Sequence, residues 1–423
     1  MLCYIDPGTG SMLFTILIGV LGAAIYALKT VWMKLRFTFS GGRDKTGKKE
    51  KTRLAIFTDS KRYWNVFEPI VAELERRGIP SLYLTASPDD PALSRSFTHV
   101  KCEFIGEGNR AFARLNLLQA DVLLSSTPGL DVYQWKRSRD VGFYVHIPHA
   151  SNDIDCYRMF GLDYYDAVLL SGEYQIGQLR ELERLRSLPA KELRIVGVTY
   201  MDEMKRRLDA APPLPAHEKT VLVAPSWGRS GILSRYGERI LDALLATDYR
   251  IVVRPHPQSY TSEKEMLERL QKAYPDSERL EWNRDNDNFE VLRRSDVLIS
   301  DFSGVIFDFA LVFDKPVVYA DTSFDKSPYD AAWIEEEMWT FETLPRLGLP
   351  LTEEDLPRIG ALLDSCIGSR EFAEGRERAR RETWQHPGEA AALTFDYLEE
   401  KLAEKQEEDR PAGEKKKKEA LPV

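Results

Sequence analysis

Cysteine is scarce in this 423-residue chain: Cys3, Cys102, Cys156 and Cys366 lie far apart, with no C-x-x-C pair and no histidine at zinc-ligand spacing. A disulfide scaffold and a cysteine-based zinc module are therefore not expected. Positive charge is also in deficit, with 58 Lys/Arg against 67 Asp/Glu and a net charge of −9. That balance argues against nucleic acid as a partner. Low-complexity composition is missing too: 43% of residues are hydrophobic and 11% aromatic, which excludes a mainly disordered or fibrous chain. The length suits two or three domains of ordinary size. One asymmetry stands out. Residues 1–53 hold nine Lys/Arg against three Asp/Glu, so the remainder carries −15.

One long uncharged run is present, SMLFTILIGVLGAAIYAL from Ser11 to Leu28. With Lys29 and Lys34 able to snorkel, it reaches roughly the 20 residues that a spanning helix needs. Asp6 is the one charge before it, whereas nine basic residues follow between Lys29 and Arg53. No basic residue precedes the run and no small-x-small site follows it, unlike a cleaved signal peptide. The positive-inside rule then places the N-terminus outside and the bulk in the cytoplasm, a single-pass protein of the cytoplasmic membrane. Residues 1–36 are expected to form the anchor and 37–53 a basic linker that favours an anionic lipid bilayer. The string YIDPGTGS before the run has turn chemistry and no chemical role assigned to it.

From residue 54 onward, short apolar runs alternate with amphipathic stretches. RLAIFT (53–58), PSLYLTA (80–86), HVKCEFIG (99–106), ADVLLSS (120–126), GFYVHIP (142–148), DAVLLSG (166–172) and LRIVGV (193–198) read as strands, as do TVLVAPS (220–226), YRIVVRP (249–255), ERLEW (278–282), DVLIS (296–300) and PVVYA (316–320). Helical patterns lie between them, such as WNVFEPIVAELERRG and QIGQLRELERLR. Alternation of this kind predicts parallel sheets covered on both faces. DAAPPLPAHEK (209–219) interrupts it with three prolines. The expected fold class is therefore α/β: two Rossmann-like, doubly wound domains, 54–208 and 220–398, facing one cleft across a Pro-rich hinge and preceded by one transmembrane helix. Residues 399–423 mix eight acidic and seven basic residues and are expected to be a disordered charged tail.

Three strings carry candidate chemistry, each at the carboxyl end of an expected strand. In SDFSGVIFD (300–308), the turn Ser300-Asp301-Phe302-Ser303-Gly304 leads into an apolar helix. Its free N–H groups, the Ser303 hydroxyl and flexible Gly304 would suit a phosphate, although Ser303 could equally be a plain helix cap. Asp301 would repel phosphate and is expected to orient a hydroxyl or a basic partner. In VVRPHPQS (252–259), Pro255 and Pro257 restrict His256, and Arg254 offers a fixed positive charge. In FYVHIPHASNDID (143–155), His146 and His149 lie near Asp153 and Asp155, an arrangement that fits a general base oriented by a carboxylate better than a metal site. Ser226 and Arg229 in APSWGRSG (224–231) could line the same cleft. No acidic cluster resembles a magnesium site, so neither metal nor cofactor is expected.

These motifs, in this order, resemble the CDP-glycerol glycerophosphotransferases of teichoic-acid synthesis. The family's H-G is similar to His149-Ala150, its R/K-P-H-P to Arg254–Pro257, and its S-D-Y-S-S-V-I-F-D to Ser300–Asp308. Two positions depart from the pattern: Ala150 replaces glycine and Gly304 replaces the second serine. The resemblance implies a membrane-associated GT-B enzyme whose first domain binds the acceptor and whose second binds the nucleotide donor. It assigns His149 to acceptor activation, and His256 with the serine turn to the diphosphate of CDP-glycerol. It also implies a membrane-bound acceptor and CMP as the leaving group. The same architecture serves sugar transferases, nucleotide-sugar 2-epimerases and non-catalytic nucleotide-binding proteins of envelope assemblies.

Overall fold

The structure, a computed structural model, describes residues 51–408 except 286 and 321–323, together with the single residues 20, 24 and 28. The chain divides into two compact units, Met1–Lys51 and Thr52–Val423. In the first, Val20, Ala24 and Leu28 are helical and exposed. Among the described residues no helix is long and apolar enough to cross a membrane. The run Ser11–Leu28, those three positions apart, lies outside the described residues, as do YIDPGTGS and most of the basic linker.

The second unit contains two all-parallel sheets. The first holds β1 (Thr52–Thr58), β2 (Ser81–Thr85), β3 (Val100–Phe104), β4 (Ala120–Ser125), β5 (Val141–His146), β6 (Ala167–Leu170) and β7 (Glu192–Ile195) in the order β3-β2-β1-β4-β5-β6-β7. The second holds β8 (Thr220–Val223), β9 (Arg250–Val253), β10 (Leu280–Trp282), β11 (Val297–Ser300), β12 (Val317–Ala320) and β13 (Gly348–Leu351) in the order β10-β9-β8-β11-β12-β13. In each, strand order reverses beside the first strand, the topological switch point where α/β proteins place ligands. The central strands β6, β8 and β11 are buried at every residue, as a sheet covered on both faces requires.

Helices form where apolar residues recur at three and four. Trp64–Arg77 buries Val66, Phe67, Ile70, Val71 and Leu74 and ends at Gly78 in the left-handed conformation, a common helix stop. The apolar core runs without a break from one half to the other. Leu54, Phe67, Leu124 and Met201 share a cluster with Phe289, Phe307, Phe309 and Trp339.

Two expectations change. The segment 399–408 is not a disordered tail but the end of helix Ala390–Glu408; 409–423 lies outside the described residues. That helix also does not stay with the second half. It returns to the first, where Tyr397 Oη donates to Glu192 (3.0 Å), Arg77 pairs with Asp396 (2.8 Å), and Arg53 donates to the Leu402 carbonyl (3.3 Å). Its apolar side, Phe395, Leu398 and Leu402, supplies the cover that the outer face of the first sheet lacks.

Candidate functional site

The loop after β5 in one half and the turn after β11 in the other approach at a pair of small residues. A Cβ built on Gly304 would stand 3.6 Å from the Ala150 methyl. The histidine string and the serine turn, about 150 residues apart in sequence, are thus in van der Waals reach. The two positions that depart from the family pattern are the ones that touch.

His149 is half-buried beside this contact. Burial lowers its pKa to about 4, against a hydrogen bond with the Ser126 backbone, so the ring is neutral near pH 7. Its Nδ1 lies 3.4 Å from the Tyr157 hydroxyl, which is 3.1 Å from His146 Nε2. Tyr63 packs on the His149 ring with centroids 4.5 Å apart. His146 is fully buried, with its pKa pushed well below the usual imidazole range by desolvation, and its Nδ1 has no partner among the described residues. A phenol therefore bridges the two imidazoles, where a carboxylate was expected. Asp153 does not orient either ring: its carboxylate accepts from Gln178 Nε2 (2.6 Å), Trp339 N (2.8 Å) and Thr340 N (2.9 Å). It ties the first half to helix Trp339–Leu347 of the second. Asp155 is buried with its pKa raised to about 7 by desolvation and by Asp153.

In the second half, His256 accepts from Gln258 N at Nδ1 (3.1 Å), which leaves Nε2 for a ligand. Burial and the Arg62 charge hold its pKa at about 4, Glu263 opposing them. Arg254 turns toward the β10 end, where its guanidinium donates to the Asn283 side chain and to the Asp285 carbonyl (2.8 Å). Asp301 orients a hydroxyl, accepting from Ser226 Oγ (2.6 Å), Ser226 N (2.9 Å), Phe302 N (2.8 Å) and Ile232 N (3.2 Å). It pins the loop after β8 to the turn after β11. Ser300 is fully buried, and its hydroxyl donates to the Ala224 carbonyl (2.7 Å), so it faces the sheet and not a ligand. Ser303 and Gly304 are half-buried at the contact with Ala150, and Arg229 is exposed. The helix after Gly304 is one α-turn, Val305–Phe307, continuing as a five-residue π-helix, Asp308–Val312, with no side-chain cap. Its dipole is correspondingly small.

Four residues near the histidines were not singled out from the sequence: Asp59, Arg62, Tyr63 and Tyr157. Asp59 accepts from Thr127 Oγ1 (3.0 Å), yet the surrounding walls desolvate it enough to raise its pKa. Tyr63 is raised to about 12 by burial and by Asp59. They sit at the end of β1 or in the loop after β5, where ordinary turn residues give no local signal. Among the described residues no group of three or more His, Cys, Asp or Glu could hold a metal ion.

Comparison with known proteins bears on the second half most directly. Residues 196–332 match the family model of CDP-Glycerol:Poly(glycerophosphate) glycerophosphotransferase. That stretch contains Ser226, Arg254, His256 and Ser300–Gly304, while His146 and His149 precede it. A teichoic acid glycerol-phosphate primase from Bacillus spizizenii is 28% identical over 193 residues, 44% of this chain. The match spans 45% of that primase's length, less than half. The UDP-GlcNAc 2-epimerase of Methanocaldococcus jannaschii superposes with a TM-score of 0.54 at 12% identity, covering 82% of this chain and 99% of that one. That of Neisseria meningitidis gives 0.50 at 15% identity, over 82% and 99%. At such identity the likeness shows the fold alone, two Rossmann-like domains arranged as in GT-B proteins. Residues 196–332 thus carry the match to the CDP-glycerol glycerophosphotransferase family model, which takes in the Arg254–Pro257 and Ser300–Asp308 strings and leaves His149-Ala150 outside it.

Proposed function

We propose that this chain is a membrane-anchored glycerophosphotransferase that moves glycerol phosphate from CDP-glycerol to a hydroxyl of a membrane-associated envelope acceptor. The observation that carries the reading is the contact of Ala150 with Gly304. It brings the loop of the neutral His149 imidazole beside the family-matched serine turn, which supports the reading. The acceptor oxygen attacks the β-phosphorus of the donor. A new P–O bond forms as the bond from that phosphorus to the bridging oxygen breaks, and CMP departs with the electron pair. His149 takes the hydroxyl proton. Its depressed pKa keeps the ring free to do so near pH 7, and the negative charge of a bound diphosphate raises its basicity. Arg254 offsets charge on the departing phosphate through its field, its fork being held by Asn283 and Asp285, and the neutral His256 hydrogen-bonds to that phosphate through Nε2. Positioning and electrostatics supply most of the rate in such transfers.

The anchor Ser11–Leu28 fits a lipid-linked acceptor, and a cytoplasmic body fits a soluble nucleotide donor. The test is direct. Detergent-solubilised protein is incubated with a panel of nucleotide-diphosphate compounds, and the released nucleotide is identified. CMP from CDP-glycerol is expected. His149→Ala should lower turnover by roughly 10²–10⁴-fold, the range for losing an acid/base group, with CDP affinity little changed. Release of UDP from a UDP-sugar, or near-normal turnover in His149→Ala, would remove the reading.

A further inference from the structure

The short 3-10 turn Lys61–Tyr63 follows β1 and packs on the histidine string of the first half. It is held firmly: Ser60 Oγ accepts from Arg62 N (3.4 Å), Lys61 N donates to Ser87 Oγ (3.0 Å), and Tyr63 N donates to the Ser60 carbonyl (3.1 Å). Its last residue, Tyr63, lies on the His149 ring. Its middle residue, Arg62, is exposed and forms no ion pair among the described residues, whereas the adjacent Lys61 is paired with Asp89. The turn therefore lies beside the His149-Ala150 string, whose Ala150 faces Gly304 of the second half, and the Arg62 charge acts to disfavour the His256 imidazolium.

Charge accounting makes this arginine conspicuous. The diphosphate of a nucleoside-diphosphate ester carries about two negative charges and is best met by forked guanidinium donors. Arg254 already spends its fork on Asn283 and Asp285, and His256 is neutral. Arg62 has no side-chain partner among the described residues and stands on the turn beside His149.

We infer that Arg62 is a phosphate-binding residue of the cleft, by which the first half holds a diphosphate whose other contacts come from the second half. The inference rests on the donor reading above, and goes beyond it in assigning part of the donor site to the first half. The diphosphate thereby becomes the link between the two halves.

Calorimetric titration of the full-length, detergent-solubilised protein tests this, with CDP, CMP and inorganic pyrophosphate as probes. Arg62→Ala should weaken CDP and pyrophosphate binding about ten- to hundredfold, the worth of a hydrogen bond to a charged group. CMP should lose less, since it lacks the second phosphate. Arg62→Lys should recover only part of the loss, and Lys61→Ala should bind as the wild type does. The melting temperature of Arg62→Ala should not move, because the side chain is exposed and unpaired. Equal CDP affinity in wild type and Arg62→Ala would overturn the assignment, as would a wild type that binds neither CDP nor pyrophosphate. If CDP-glycerol is not turned over but CDP binding still depends on Arg62, the proposed reaction fails and the phosphate site stands.

Discussion

Asp308 ends the serine-turn motif and lies in the core. Its Oδ1 has no partner among the described residues, while the carboxyl meets Asn288 Nδ2 (3.4 Å) and the Tyr200 hydroxyl. Desolvation raises its pKa to about 7, against the lowering effect of Tyr200 and Asn288. The sign of the pH effect follows. The unfolded chain releases this proton near pH 4 and the folded chain near 7, so Asp308 costs stability increasingly as pH rises through that window. Asp308→Asn should therefore leave the melt unchanged near pH 4 and raise the melting temperature at pH 8. Each unit of pKa separation is worth about 1.4 kcal/mol. Thermal melts at both pH values check it; an equal shift at both would show that the carboxyl does not titrate between them. Nothing in the string SDFSGVIFD distinguishes this aspartate from Asp301. Both are buried, but Asp301 receives four hydrogen bonds from the β8 and β11 loops, and long-range partners of that kind are invisible in sequence.

Among elements, the strands were legible and their fastenings were not. Twelve of the thirteen strands overlap the short stretches that read as strands from the sequence, the pattern that parallel sheets covered on both faces impose. The exception, β13, reads Gly-Leu-Pro-Leu, and both glycine and proline are strand breakers by propensity. It survives because it is an edge strand. A Cβ on Gly348 would also fall 1.6 Å from the Val317 carbonyl oxygen, so its pairing with β12 demands glycine. The same logic governs Gly172 after β6, where a Cβ would fall 1.8 Å from the Glu382 carbonyl oxygen at the end of helix Phe372–Thr383. Gly172→Ala should push that helix away, destabilising by about 1–3 kcal/mol. The next residue in the helix, Thr383, donates to the Ser151 carbonyl (2.6 Å), two residues from His149. Turnover should therefore fall together with the melting temperature. A melt identical to wild type would show that the helix tolerates the displacement.

At the scale of the whole molecule, the two halves are fastened at several points remote from the histidines. Arg186 of the first half lies between Asp163 (2.7 Å) and Asp330 of the second, and Asp330 N donates to the Tyr157 carbonyl (2.9 Å). Tyr174 stacks on Trp339 with centroids 4.5 Å apart. Tyr157, which bridges the imidazoles, is thus held in place from the opposite half. The proposed anchor belongs to this scale as well. The full-length protein should remain in the membrane fraction after washes in high salt and alkaline carbonate, because about 20 apolar residues hold a helix in the bilayer without help from charge. Release by salt alone would reduce the N-terminus to an electrostatic contact made by the basic linker.

The α/β class, the presence of two sheets and the loops bearing His149, His256 and Ser303 followed from the sequence by itself. Periodicity and strand-end motifs are local, and local backbone chemistry writes them into short stretches of chain. Tertiary structure alone decided which partners those side chains take. Ser300 turned to the Ala224 carbonyl, Asp153 to the backbone of Trp339 and Thr340, and Tyr63 to the His149 ring. It also decided that the last helix covers the first sheet. Each of these outcomes depends on which buried polar group finds a partner and which apolar face finds cover. Both are settled between residues far apart in the chain, where no spacing rule reaches.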